Sequence, residues 1–201
     1  MIPRHLAIGL AVMLAVALGM SFYLWRMRAG ARAVESEASA TISAPVAAPV
    51  AGPTEQAILY VADDESGEIH PVGTRIPLPG ARQARAEELL RALVTSYLEK
   101  NSTHPLGPGS EVLNVYLVDP GIAVIDVNQA FADGHRSGIM VEELTVASLI
   151  ETLGANIQGI RQVKILVDGK ERDTLAGHAD LTQFYDVSAI NQVVAGLSAA
   201  R

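Results

Sequence analysis

Val112 to Val127 reads VLNVYLVDPGIAVIDV, and this stretch decides the fold. Two runs rich in β-branched residues, Val112 to Val118 and Ile122 to Val127, flank Asp119-Pro120-Gly121. Proline suits the first central position of a turn, and glycine suits a position that needs positive φ, so the stretch predicts a β-hairpin. Leu113, Val115 and Leu117 alternate with Asn114 and Tyr116, as in an antiparallel sheet with one wet face. Asp126 is expected on the face opposite Ile125 and Val127.

Before the hairpin, Ala84 to Lys100 carries Ala86, Leu89, Leu90, Leu93, Val94, Tyr97 and Leu98 at three- and four-residue steps. That spacing predicts a helix with one apolar face. Further back, Ala57 to Val61 reads as a strand, and Ile69 to Leu78 as a short or edge strand because it holds Pro71, Gly73 and Pro77. After the hairpin, Asn128 to Gly138 reads as a loop. Val141 to Ile157 predicts a second helix, with Val146, Leu149, Ile150, Leu153 and Ile157 on one side and Glu142 and Glu143 in the first turn. Val163 to Val167 completes the set as a strand. The expected class is α+β: a small mixed or antiparallel sheet with two helices packed on one face.

Val163 to Leu181, VKILVDGKERDTLAGHADL, gathers Asp168, Glu171, Asp173, His178 and Asp180. Asp168-Gly169 is a common two-residue hairpin turn, which assigns Asp168 to backbone geometry. Lys170 to Asp173 alternates in charge, as a solvated return segment does. His178 is expected to hold a loop through the backbone, and Asp180 to begin the C-terminal turn. His70, His104, His135 and His178 occur without the spacing of a zinc site, so no metal ligands and no cofactor are assigned. A Ser137, His135 or His178, Asp133 triad is formally available, but no Gly-x-Ser-x-Gly elbow accompanies it. No catalytic residue is assigned, and the chain is read as a non-enzyme.

VLNVYLVDPGIAVIDVNQAF, ASLIETLGANIQGIRQVKILVDGK and TLAGHADL together resemble the GerMN domain, the sporulation and germination family. The positions that carry the resemblance are Ile122 to Val127, Thr152 and Leu153, and Val163 to Gly169. The likeness covers most of Ala57 to Leu181. The first helix ends in SYLEKN, where the family frequently has Gly-Pro. The resemblance implies a binding or assembly module of the cell envelope, akin to ring-building folds, on the outer side of the membrane. It implies no catalytic residues.

The remaining segments suit that setting. Leu6 to Trp25 carries no charge, and about 20 residues at ~1.5 Å rise match a hydrocarbon core. Residues 1–28 are therefore read as a retained membrane anchor, and residues 29–53, rich in Ala, Pro and Ser, as a disordered linker. Arg26, Arg28 and Arg32 against Arg4 would, by the positive-inside rule, lean toward a cytoplasmic domain, whereas the family resemblance points outward. Residues 54–185 form the domain and residues 186–201 an amphipathic tail. In that tail Val187, Ile190, Val194 and Leu197 suit a short helix, packed on the sheet or presented to a partner.

The net charge is −7, and all but two of the 22 acidic residues follow Thr54, which disfavours nucleic acid as a partner. No cysteine is present, which excludes disulfides and thiolate chemistry. Protein partners in the envelope, including further copies of the chain, are the expected contacts. The alternatives are an envelope hydrolase using His135 and His178, or a sensor of cell-wall fragments with a pocket between the helices and Ala130 to Gly138.

Overall fold

The computed structural model describes residues 53–199. The anchor read over residues 1–28 lies outside the described residues, as does the linker apart from Pro53. No helix among the described residues is long and apolar enough to cross a membrane.

The DPG hairpin forms as β3 (Val112–Val118) and β4 (Ile122–Val127), antiparallel, with a register shift between Val112 and Asn114. Its turn differs from expectation. The Gly121 N–H donates to the Val118 carbonyl, so Pro120 stands second, not first, between them, and the Asp119–Pro120 peptide is cis. β4 pairs in parallel with β5 (Gln162–Val167). A parallel pair needs a long connection. Here α2 (Gln129–Asp133) and α3 (Ile139–Asn156) supply it. β6 (Tyr185–Asp186) adds antiparallel to β5, giving the mixed order β3-β4-β5-β6.

The short α2 lies in the stretch read as a loop. Asn128 is its cap: the side chain accepts from Phe131 N–H and Glu111 N–H and donates to the Gly109 carbonyl. A side chain that satisfies an orphan N–H at a helix start favours helix over loop.

The expected single sheet is two sheets. β1 (Thr54–Asp63) and β2 (Glu68–Pro77) pair only with each other. The reason lies along the outer edge of β1, where side chains take the place of a neighbouring strand. Asn156 accepts from Ile58 N–H and donates back to its carbonyl. Thr152 accepts from Tyr60 N–H, the Tyr97 hydroxyl accepts from Ala62 N–H, and Thr103 donates to the Ala62 carbonyl. Backbone groups without a strand neighbour need other partners, and side chains of Tyr97, Thr103, Thr152 and Asn156 supply them here.

α1 (Arg82–Leu98) buries Ala86, Leu89, Leu90, Leu93, Val94 and Tyr97, the expected face, while Leu98 is exposed. α3 is buried nearly all round from Leu144 to Leu153, packing against α1, β1 and the C-terminal helix α4 (Val187–Ala199). It is the axis of the core, not one of two equivalent surface helices. α4 rests on α3, β2 and β6, with Val187 and Val194 turned inward. Asp126, expected on the face opposite Ile125 and Val127, is buried, and its carboxylate accepts the Gly169 N–H at 2.7 Å. Burial pushes that carboxyl up, against the lowering effect of the Gly169 bond.

Candidate functional site

Several charged groups of the Val163 to Leu181 stretch serve turns and neighbouring segments. Asp168 at φ 50 and Gly169 at φ 69 make the two-residue turn, and Val167 and Lys170 exchange both backbone bonds across it. Both residues tolerate positive φ, so the turn type follows from the dipeptide. Asp168 also accepts the Gln129 N–H. Glu171 meets Lys164 at 3.1 Å, and Asp173 is exposed. Asp180 accepts both the amide and the hydroxyl of Thr182. Lys164 faces outward on β5 yet is buried, because the chain after Lys170 folds over it; its ammonium donates to the Thr182 carbonyl.

His178 does not bond the backbone of its own loop as expected; its ring meets a side chain instead. Its Nδ1 lies 2.9 Å from Glu142 Oε1, and the Glu142 side chain is fully buried. Glu142 Oε2 accepts three backbone N–H groups, from Ala176, His178 and Ala179, each at 2.9 Å. Oε1 also accepts the Gly138 N–H. Burial pushes the carboxyl up, but the His178 bond and the three amides outweigh it and bring the group down to about 2. A carboxylate gathering several N–H groups is stabilised in its charged form. Glu142 thus pins the TLAGHADL segment onto the first turn of α3. Its place three residues before Thr145 and four before Val146, on the buried stripe, was the available signal: an acid in an apolar line calls for buried donors.

Ser137 Oγ approaches His178 Nδ1 at 3.4 Å, the same nitrogen that faces Glu142. A relay needs nucleophile and acid on opposite ring nitrogens, so this grouping does not activate Ser137. Asp133 joins neither histidine; it binds Arg172 and Gln129. The formal Ser137, His135 or His178, Asp133 triad is therefore not assembled.

A relay-like order does occur elsewhere. Asp64 Oδ1 lies 2.5 Å from His104 Nδ1, and His104 Nε2 lies 2.6 Å from Thr145 Oγ. His135 Nε2 reaches the same hydroxyl at 2.7 Å, and its Nδ1–H donates to the Arg136 carbonyl. Asp64 also pairs with Arg136. Thr145 is 0% exposed and His104 1%, so no substrate reaches the hydroxyl. Burial pushes His104 down to about 4. Burial lowers His135 as well. This cluster ties the Asp64 turn and the His104 loop to α3. His70 stands apart on β2, 3.6 Å from Glu68. Among the described residues no three His, Asp or Glu side chains converge as metal ligands.

A groove of about 610 Å³ opens between α3, α4, the β1–β2 turn and the segment before β6. Ile69, Leu144, Ile190 and Val194 form its floor and walls. Ile139, Met140 and Val193 on its rim are 62%, 58% and 59% exposed. Glu143, His178, Asp180, Gln183 and Tyr185 provide its polar groups. None of Ala130 to Gly138, the segment expected to line a pocket, belongs to it.

No curated protein matches the chain. A solved protein of Clostridium perfringens, described as a lipoprotein, is similar at 21% identity and a TM-score of 0.47, over 73% of this chain and 96% of its own. The tandem GerMN domains of the sporulation protein GerM from Bacillus subtilis are similar at 21% identity and a TM-score of 0.49, over 65% of this chain and 45% of theirs. The first of those domains alone is similar at 22% identity and a TM-score of 0.45, over 65% and 95%. The family model described as Germane, sporulation and spore germination, matches residues 58–173. That span runs from β1 through β5 to the turn beyond it and covers more than half of the chain, and the protein belongs to this Germane, or GerMN, family.

Proposed function

We propose that this protein is a membrane-tethered, non-enzymatic component of the cell envelope, whose domain makes protein contacts on the outer side of the membrane. The observation that carries this reading is the exposed apolar rim formed by Ile139, Met140 and Val193 around one groove. Clustered exposed apolar side chains mark contact sites, whereas scattered ones do not. The buried polar groups support the non-enzymatic part: Glu142, His104, His135 and Thr145 are each engaged in joining segments of the fold. The uncharged Leu6 to Trp25 run supplies the tether, and family membership supports the envelope setting.

The test is the mass of the full chain extracted from its membranes in mild detergent. The expected species exceeds one 21.2 kDa chain plus micelle, and Ile139→Asp with Val193→Asp returns it to a single chain. A wild-type chain that stays single at membrane density overturns the reading. The groove volume also falls within the roughly 300–1,000 Å³ of small-molecule sites, which favours a ligand sensor as the second reading. Thermal shifts of the full chain against cell-wall fragments separate the two, since only a sensor gains stability from them.

A further inference from the structure

We propose that the groove between α3 and α4 receives a peptide segment of a partner protein, one that carries aliphatic anchors beside a lysine or arginine. This deepens the contact-module reading above and rests on it.

The groove is built on two helices, so it is preformed. One end is closed by the β1–β2 turn, where Gly67 at φ 70 lies against Met140: an added Cβ would meet the Met140 sulfur at 3.0 Å. Methionine is flexible and polarisable, and it adapts to differing apolar partners. The interior is aliphatic, so it selects an aliphatic anchor.

The charges on the rim select the flanking residue. Both Glu143 and Asp180 line the groove, and neither lysine nor arginine does. Their influence converges on Tyr185, whose hydroxyl donates to the Asp180 carbonyl at 2.6 Å. Burial first, then Asp180 and, more weakly, Glu143, push that phenol up to about 12. The remaining titratable side chain, His178, has its Nδ1 directed to buried Glu142, not to an incoming group. A cationic side chain entering at Tyr185 meets two carboxylates; the buried Lys164 ammonium acts on Asp180 from behind but is itself paired with Glu171, so negative charge still prevails and an anionic lipid head group or fatty acid is disfavoured there. The net charge of −7 adds to the same preference.

The test presents a displayed library of random peptides to the full chain in phosphatidylcholine nanodiscs. Enriched peptides are expected to combine aliphatic positions with an adjacent Lys or Arg. Glu143→Gln with Asp180→Asn keeps the Thr182 turn, because asparagine retains Oδ1, and is expected to weaken these peptides about tenfold at low salt. Replacing the peptide's Lys or Arg by alanine should then cost nothing further in that variant. Val193→Asp, at an exposed position, is expected to abolish binding. Peptides without basic residues, or indifferent to these substitutions, overturn the groove assignment and leave the contact-module reading standing. A native mass showing two copies joined through Val193 does the same, by making the occupant a second chain. A library that yields no peptide beyond empty nanodiscs overturns both.

Discussion

Glu142→Gln tests how the TLAGHADL segment is held. The carboxyl falls from the ordinary glutamate value of 4.5 to about 2 on folding. At ~1.36 kcal/mol per pKa unit, that is about 3 kcal/mol of stability at neutral pH. The gross value of the bonds is larger, since hydrogen bonds to charged groups contribute ~1.5–3 kcal/mol each, but burying the charge offsets much of it. Glutamine keeps one acceptor oxygen and presents an amide where Gly138 N–H or His178 also needs an acceptor, so donors are left unpaired. The sign follows from the lowered folded-state pKa: the contribution is present above about 4.5 and is lost as pH falls through about 2. Hydrogen exchange of the full chain, normalised to intrinsic rates, reads this at the amides of Ala176, His178 and Ala179. Protection at pH 7 should drop by roughly two orders of magnitude in the variant. Wild type and variant should converge as pH falls from about 4.5 toward 2. A loss smaller than threefold, or a difference independent of pH across that window, refutes the claim that the carboxylate pins the segment.

Tyr97→Phe leaves the buried Ala62 N–H without its acceptor and should cost ~1–3 kcal/mol in urea unfolding; a neutral result would show that the β1 edge does not depend on this hydroxyl. Thr145→Val preserves shape but removes the hydroxyl that His104 Nε2 and His135 Nε2 share, whose single proton serves one of them, with an expected loss of ~1–3 kcal/mol by the same measurement. Glu151 is the converse case. It is buried, Oε1 has no partner, and burial raises its carboxyl. Glu151→Met should therefore raise the thermal midpoint at pH 7, by ~1–3 kcal/mol in stability. Because a raised carboxyl penalises folding only when ionised, the charge-dependent part of that gain should decline as pH falls through the raised folded-state value and be gone by about pH 4.5.

The elements were largely legible because each depends on its own residues. The DPG hairpin, the apolar stripe of α1, the start of α3 and the Asp168-Gly169 turn all follow from local period and turn chemistry. The missed helix α2 also had a local sign, Asn128 at its start, obscured by the glycines after it. The family likeness drawn from the strands and the Thr-Leu and Asp-Gly pairs agrees with the match over residues 58–173.

What sequence alone determined is most of the strands, helices and turns, with α2, β6 and the form of the Asp119-Pro120-Gly121 turn excepted, because backbone propensity and side-chain periodicity act over a few neighbours. Only the tertiary structure decided that β1 and β2 stand as a separate sheet, since the groups capping the β1 edge come from Tyr97, Thr103, Thr152 and Asn156, tens of residues away. It also decided that Glu142 serves a loop 34 to 37 residues later, and that Ile139, Met140 and Val193 share one groove. Pairing of polar groups and burial of apolar area depend on distance in space, and no period in the chain encodes which distant segments will meet.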